Sequence, residues 1–190
     1  MMRYLPAAVA VFTIAACAPS GYEPYLTRGL EPASPQERDR FTLERTACFG
    51  TCPVYTVTVG ERDILQFQGK RFVAEEGGVV GERRPEGSFK ELVKIAKSYE
   101  FSSFDTAYPN DAVSNCPQYA TDMPSIKITF ESSALTHAVS VYQGCGGFEG
   151  RARFDEMVAA METVLDIDDL IGPREDFDDD ANVEPLDPGL

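Results

Sequence analysis

Cys48-Phe49-Gly50-Thr51-Cys52-Pro53-Val54-Tyr55-Thr56-Val57-Thr58-Val59 is the stretch on which the fold turns. If a helix starts at Pro53, the two cysteines sit at its N-terminus, where the dipole stabilises a reactive thiolate. If a strand starts there, they flank a loop. The residues after Pro53 are β-branched or aromatic, and Tyr55, Val57 and Val59 share one face at a period of two. A helix would crowd three β-branched side chains into its first turn and a half. The strand is the consistent reading.

Other segments follow outward from it. Phe41, Leu43 and Arg45 alternate with polar residues as a first short strand. A turn at Gly60-Glu61-Arg62-Asp63 leads to a hairpin partner over 64–68. Gly77-Gly78 precede a weaker strand over 79–83. Ser88 and Glu91 then have the spacing of a capping box ahead of Phe89, Leu92, Val93 and Ala96, which predicts a helix ending near Tyr99. A long loop over 101–124 holds Phe104, Pro109, Cys116 and Pro117, and a loop of that length needs a function or a pin. Residues 125–130 and 136–142 alternate as a second hairpin joined around Ser132-Ser133. A last helix over 151–166 lines up Phe154, Met157, Val158, Met161, Val164 and Leu165, the spacing of ordinary core packing. Two strand-rich segments, each followed by a helix, predict an α+β domain: an antiparallel sheet of five to six strands with two helices on one face.

The N-terminus carries a different signal. Arg3 precedes an apolar run over 5–16, too short to span a bilayer, which ends in Ile14-Ala15-Ala16-Cys17. This resembles a bacterial lipobox, in which Cys17 is lipidated and becomes the new N-terminus. The expected organisation is a signal peptide over 1–16, a lipidated Cys17 and tether over 17–37, a domain over 38–172 and an acidic tail over 173–190. A fully acylated cysteine carries enough chains for stable anchoring. Ala18, rather than Asp, after the cysteine resembles the signal for outer-membrane delivery. The expected address is the cell envelope, facing the periplasm.

Charge narrows the partners. The 190 residues carry a net charge of −14, concentrated in the tail, so nucleic acid and anionic headgroups are not expected to bind. Membrane contact through the lipid and an envelope protein partner remain.

Five cysteines are odd, but lipidating Cys17 leaves Cys48, Cys52, Cys116 and Cys145, an even set that reads as disulfides in an exported domain. Four cysteines allow three connectivities. The favoured one pairs Cys48 with Cys52, across a type II turn with Gly50 at the positive-φ position, and Cys116 with Cys145. By loop entropy these contribute about 2 and about 3–4 kcal/mol. The second bridge is the pin that the long loop needs.

One alternative gives the thiols chemistry. Cys-x-x-x-Cys-Pro in an anchored exported protein resembles the copper-delivering Sco family, which binds copper through two thiols and a distant His. The single histidine, His137, lies 85 positions after Cys52, and two thiolates with an imidazole make a sensible copper site. The strand pattern after Pro53 and the mid-strand place of His137 both argue against it.

Cys-Phe-Gly-x-Cys-Pro-x-Tyr over 48–55, Gly69, Thr121-Asp122-x-Pro124 and the Tyr142-x-Gly144 before the last helix also carry a second resemblance, to domain of unknown function 6438. It spans about residues 38–168. It implies a small bacterial domain, often exported and sometimes lipid-anchored, with no assigned activity. It carries over no catalytic residue.

The remaining constellations are weak. One His and no Trp leave no Ser-His-Asp or Cys-His arrangement. Asp122 is expected to shape a strand-entry turn rather than catalyse. The acidic tail lacks the glycine and following helix of a calcium loop. No cofactor, metal or catalytic residue is expected, and the protein reads as a non-enzymatic interaction or envelope-maintenance module.

Overall fold

A computed structural model describes residues 39–110 and 115–173. Cys17 with its signal and tether, and the tail from 174, lie outside the described residues. The chain forms β1 (Arg40–Arg45), β2 (Val54–Gly60), β3 (Ile64–Arg71), β4 (Val79–Arg83), α1 (Ser88–Ser98), a 3-10 turn (Phe101–Ser103), β5 (Ala107–Tyr108), β6 (Gln118–Tyr119), β7 (Ser125–Glu131), β8 (Thr136–Tyr142), β9 (Cys145–Gly146), α2 (Arg151–Leu165) and α3 (Asp168–Ile171). The α+β reading holds, with three corrections. The main sheet has seven strands in the order β4-β3-β2-β1-β7-β8-β5, and it is mixed because β5 pairs in parallel with β8. A separate two-stranded ribbon joins β6 to β9. A third helix, α3, is added to the two expected.

The registers sort the sheet into two faces. Phe41 opposes Val59 and Phe130, while Leu43 opposes Val57 and Ile128. These residues, with Leu65, Phe67, Val139 and Val141, are buried together with Leu92, Ala96, Phe154, Met157, Met161 and Leu165 from the helices. Aromatic contacts knit the layers: Phe41 to Phe130 at 5.0 Å, Phe101 to Phe130 at 5.6 Å and Phe104 to Phe154 at 5.7 Å. Each such side chain contributes about 1.5–3 kcal/mol by leaving water. The opposite face shows Thr42, Glu44, Thr56, Thr58, Lys127 and Thr129, the polar half of the same alternation.

The capping box is corrected. Gly87, at φ 91°, is the N-cap of α1, and Ser88 donates its hydroxyl to Pro85 O at 2.7 Å. The cap comes instead from Asp63, in the turn between β2 and β3. Its carboxylate accepts the Gly87 and Phe89 N–H groups at 2.7 and 2.8 Å. Asp63 is almost fully buried, so these two bonds fix the start of α1 against the hairpin. In α2, Phe154, Met157, Val158, Met161 and Leu165 are buried as expected, with Val164 only half-buried.

The long loop is more structured than its sequence suggests. It holds the 3-10 turn, β5 and β6, and Cys116 bonded to Cys145. After it, α3 folds back on the segment beyond β3, where Ala74 and Glu75 N–H groups donate to Ile171 and Leu170 carbonyls at 2.9 and 3.2 Å.

Candidate functional site

The registers bring five strand ends together. The C-termini of β1, β3 and β8 and the N-termini of β2 and β7 all lie at one end of the main sheet, since Arg45 opposes both Tyr55 and Ile126 while Ser125 opposes Tyr142. The loops leaving this end contain Cys48–Cys52, Thr121-Asp122-Met123-Pro124 and Tyr142–Gly144, segments far apart in sequence.

Hydrogen bonds tie these loops to one another. Phe49 N–H donates to Asp122 O at 3.0 Å, and Met123 N–H donates to the Tyr142 hydroxyl at 3.0 Å. Gln143 N–H reaches Pro124 O and Ala120 N–H reaches Gly144 O, both at 2.8 Å. Ser125 N–H donates to the Thr46 hydroxyl at 2.7 Å. Both favoured disulfides are present: Cys48–Cys52 with Cα atoms 5.8 Å apart, and Cys116–Cys145 at 5.2 Å. The first does not close a type II turn. Gly50 has the positive φ, but at 139° it lies far from the roughly 80° of a type II turn, and residues 49–51 are bends.

Two glycines are required here by contact. A Cβ on Gly144 would stand 2.0 Å from Ala120 O, and one on Gly69 would stand 2.0 Å from Glu75 O. Neither backbone oxygen has room to retreat without breaking the loop it belongs to.

Beneath the loops lies a buried polar group that the sequence reading missed. Arg45 Nε donates to Glu162 Oε1 at 3.0 Å, with Nη2 reaching the same oxygen. Tyr55 hydrogen-bonds to both partners and stacks on Phe67 at 5.3 Å. Burial, reinforced by Glu162 and opposed by Arg45, pushes the Tyr55 phenol up to about 12. Burial works against the Arg45 charge, yet Glu162 and then Tyr55 hold its pKa above the usual guanidinium value. The phenol keeps its proton at neutral pH, and the pair fastens α2 to the ends of β1 and β2. One signal was legible: Arg45 continues the core-facing phase of Phe41 and Leu43.

Outside, the same corner is apolar. Among the described residues the exposed large apolar side chains are Phe49 at 89%, Tyr119 at 62%, Val79 at 52% and Met123 at 45%. Two of these four, Phe49 and Met123, belong to the linked loops, and Tyr119 in β6 stacks on Tyr142 at 5.2 Å. These exposed apolar side chains are thus gathered at one corner rather than scattered singly.

The candidates for chemistry are not assembled. His137 pairs in register with Phe130, opposite Phe41, roughly 13 Å along β1 from Arg45 at the usual rise per residue. Its Nε2 is 3.0 Å from Phe104 O and its ring stands edge-on to Phe101 at 5.2 Å. Cys48 and Cys52 are bonded to each other at the other end, so these three residues form no common site. Among the described residues no group of three or more His, Cys, Asp and Glu side chains is placed to hold a metal. Asp122, at φ 66°, accepts the Thr121 hydroxyl at 2.7 Å and offers its carbonyl to Phe49, a turn-forming role. A polar hollow of about 600 Å³ lies beside Phe104, Tyr108, Asn115 and Arg153, where the buried Arg153 Nε has no hydrogen-bond partner among the described residues while Asn115 and Tyr108 are engaged. There Asn115 bonds Asp105, Ala107 and Asn110, while the Tyr108 hydroxyl accepts Asp105 N–H and is held by burial above its usual pKa.

No curated protein matches the chain. Residues 39–165 match the family described as Domain of unknown function (DUF6438). The residues on which the sequence resemblance rested converge here: the Cys48–Cys52 loop, Tyr55 under it, Gly69, the Asp122 turn, and Tyr142 and Gly144. With the match covering well over half its length, the chain belongs to the DUF6438 family.

Proposed function

We propose that the protein is a lipid-anchored envelope lipoprotein that acts without catalysis, docking a protein partner on the stapled corner. The anchor is Cys17, and the address is periplasm-facing, at the outer membrane. The observation that carries this reading is the patch of Phe49, Tyr119 and Met123, fixed by a disulfide and by hydrogen bonds between three loops. Rigid aromatic anchors with little ordering cost are what a binding surface needs. The groups beneath support the same reading, because Tyr55, Arg45 and Glu162 are hydrogen-bonded to one another and hold the loops' base in place. The described domain begins at Asp39, beside the end of β1 opposite the corner.

The test is site-specific photo-crosslinking in the native envelope from position 49, with position 90 on α1 as control. A discrete protein adduct from position 49 and none from position 90 is expected, together with an acylated Cys17 at the mature N-terminus by mass spectrometry. Equal labelling from both positions, or none from 49, contradicts the docking role. An unmodified Cys17 contradicts the anchor.

A further inference from the structure

The outward face of the main sheet has a chemistry of its own. Gln66, Thr58, Thr42 and Thr129 form one row across β3, β2, β1 and β7, with Gln68, Thr56, Glu44 and Lys127 in the next. Thr42 and Thr58 hydroxyls lie 3.4 Å apart. The side chains of Thr56, Thr129, Gln66 and Gln68 bond to no other described residue. They form a ladder of free hydroxyls and amides at the strand spacing of about 4.8 Å, close to the length of one pyranose unit in an extended chain.

Charge and shape then choose among ligands. The five central strands put three cations and two carboxylates outward, and each carboxylate is paired: Glu131 with Arg40, and Glu44 with Lys70 and Lys127 at 3.7 and 3.5 Å. On a chain of net charge −14 this face is close to neutral. A polyanion needs a basic surface, and a polycation would prefer the acidic remainder. A protein partner needs buried apolar anchors, which these rows lack. Hydroxyl and amide groups with threonine methyls match a near-neutral, N-acetylated sugar chain. At the end of the face, the exposed ring of Tyr119, backed by Tyr142, offers a stacking platform.

We infer that the outward face of the sheet binds an N-acetylated glycan strand, laid across β3, β2, β1 and β7. The choice of peptidoglycan as its source rests on the periplasm-facing address proposed above, whereas the face itself does not.

The test uses the full chain in detergent, co-sedimented with purified peptidoglycan sacculi. Nuclear magnetic resonance titration with soluble tetra-N-acetylchitotetraose provides a second readout. Binding is expected to fall at least about tenfold in T56V/T129V/Q68A, the low end of losing three neutral hydrogen bonds. Thr→Val keeps β propensity, so the fold survives. Phe49→Ser should bind sacculi like the wild type, which separates failure of this face from failure of the protein-docking corner. Tetrasaccharide shifts confined to β1, β2, β3 and β7 amides support the face, and binding of the tetrasaccharide without sacculi keeps the glycan and overturns its source. No binding to either probe, undiminished binding by the triple variant, or shifts confined to residues 48–52 and 121–124 overturns the inference.

Discussion

The two ends of the main sheet are secured by different means. At the end carrying the β2–β3 turn, one carboxylate, Asp63, fixes α1 through two backbone N–H groups. At the other end, two disulfides, two glycines without room for a Cβ and the Arg45–Glu162–Tyr55 group all converge. Among the described residues, the exposed Phe49, Tyr119 and Met123 side chains lie at the second end. Two disulfides and a half-buried ion pair thus close one end of the sheet, where a single carboxylate serves the other. The difference teaches that constraint gathers at the end where Phe49, Tyr119 and Met123 are exposed.

The largest break in this contrast comes at Cys116 and Cys145. Both are buried and close a 29-residue separation, so replacing both with Ser should cost about 3–4 kcal/mol in urea unfolding. The loop at 116–124 should then gain hydrogen exchange while α1 does not. At the opposite end, Asp63→Ala removes two charge-assisted caps and should cost about 2–3 kcal/mol, with the exchange concentrated at the first turn of α1.

Tyr55 gives the corner a pH signature. Its folded pKa, about 12, lies above the unfolded value near 10. The folded state therefore holds a proton that the unfolded state releases, and the contribution is full below pH 10 and lost as pH rises toward 12. The slope amounts to about 2–3 kcal/mol. Rapid urea unfolding at pH 9 and 11.5 should show it, and Tyr55→Phe should flatten it.

Smaller effects separate the exposed bridge from the patch it carries. Replacing both Cys48 and Cys52 with Ser should cost about 2 kcal/mol, read as a lower unfolding midpoint with an unchanged denaturant slope. Phe49→Ser should change stability by less than about 0.5 kcal/mol, because the ring is exposed. A large loss from Phe49→Ser would mean that the ring is core rather than display.

The strands and long helices were legible because each obeys one period over five residues or more. Val54–Gly60 and Thr136–Tyr142 could be read from alternation alone. Two-residue strands such as Ala107–Tyr108 have no period to read, so the parallel edge that makes the sheet mixed was invisible. The α1 cap was misread for a related reason. Ser88 and Glu91 satisfy the local pattern, but the helix is capped at Gly87, so the Ser88 and Glu91 N–H groups go to Pro85 O and Gly87 O while Asp63, 24 residues before Gly87, takes the Gly87 and Phe89 N–H groups. Of the corner, the cysteines could be counted and paired on paper. The meeting of Arg45 with Glu162, 117 residues apart, could not.

The central claim is that the Cys48–Cys52 bridge holds the Phe49 patch in a shape that a partner recognises. The direct measurement is the position-49 photo-crosslink in the native envelope, compared between the wild type and the variant with Ser at both 48 and 52. The account predicts a discrete protein adduct in the wild type, lost or strongly reduced in the variant although the domain stays folded. An adduct of equal yield in the variant would contradict it.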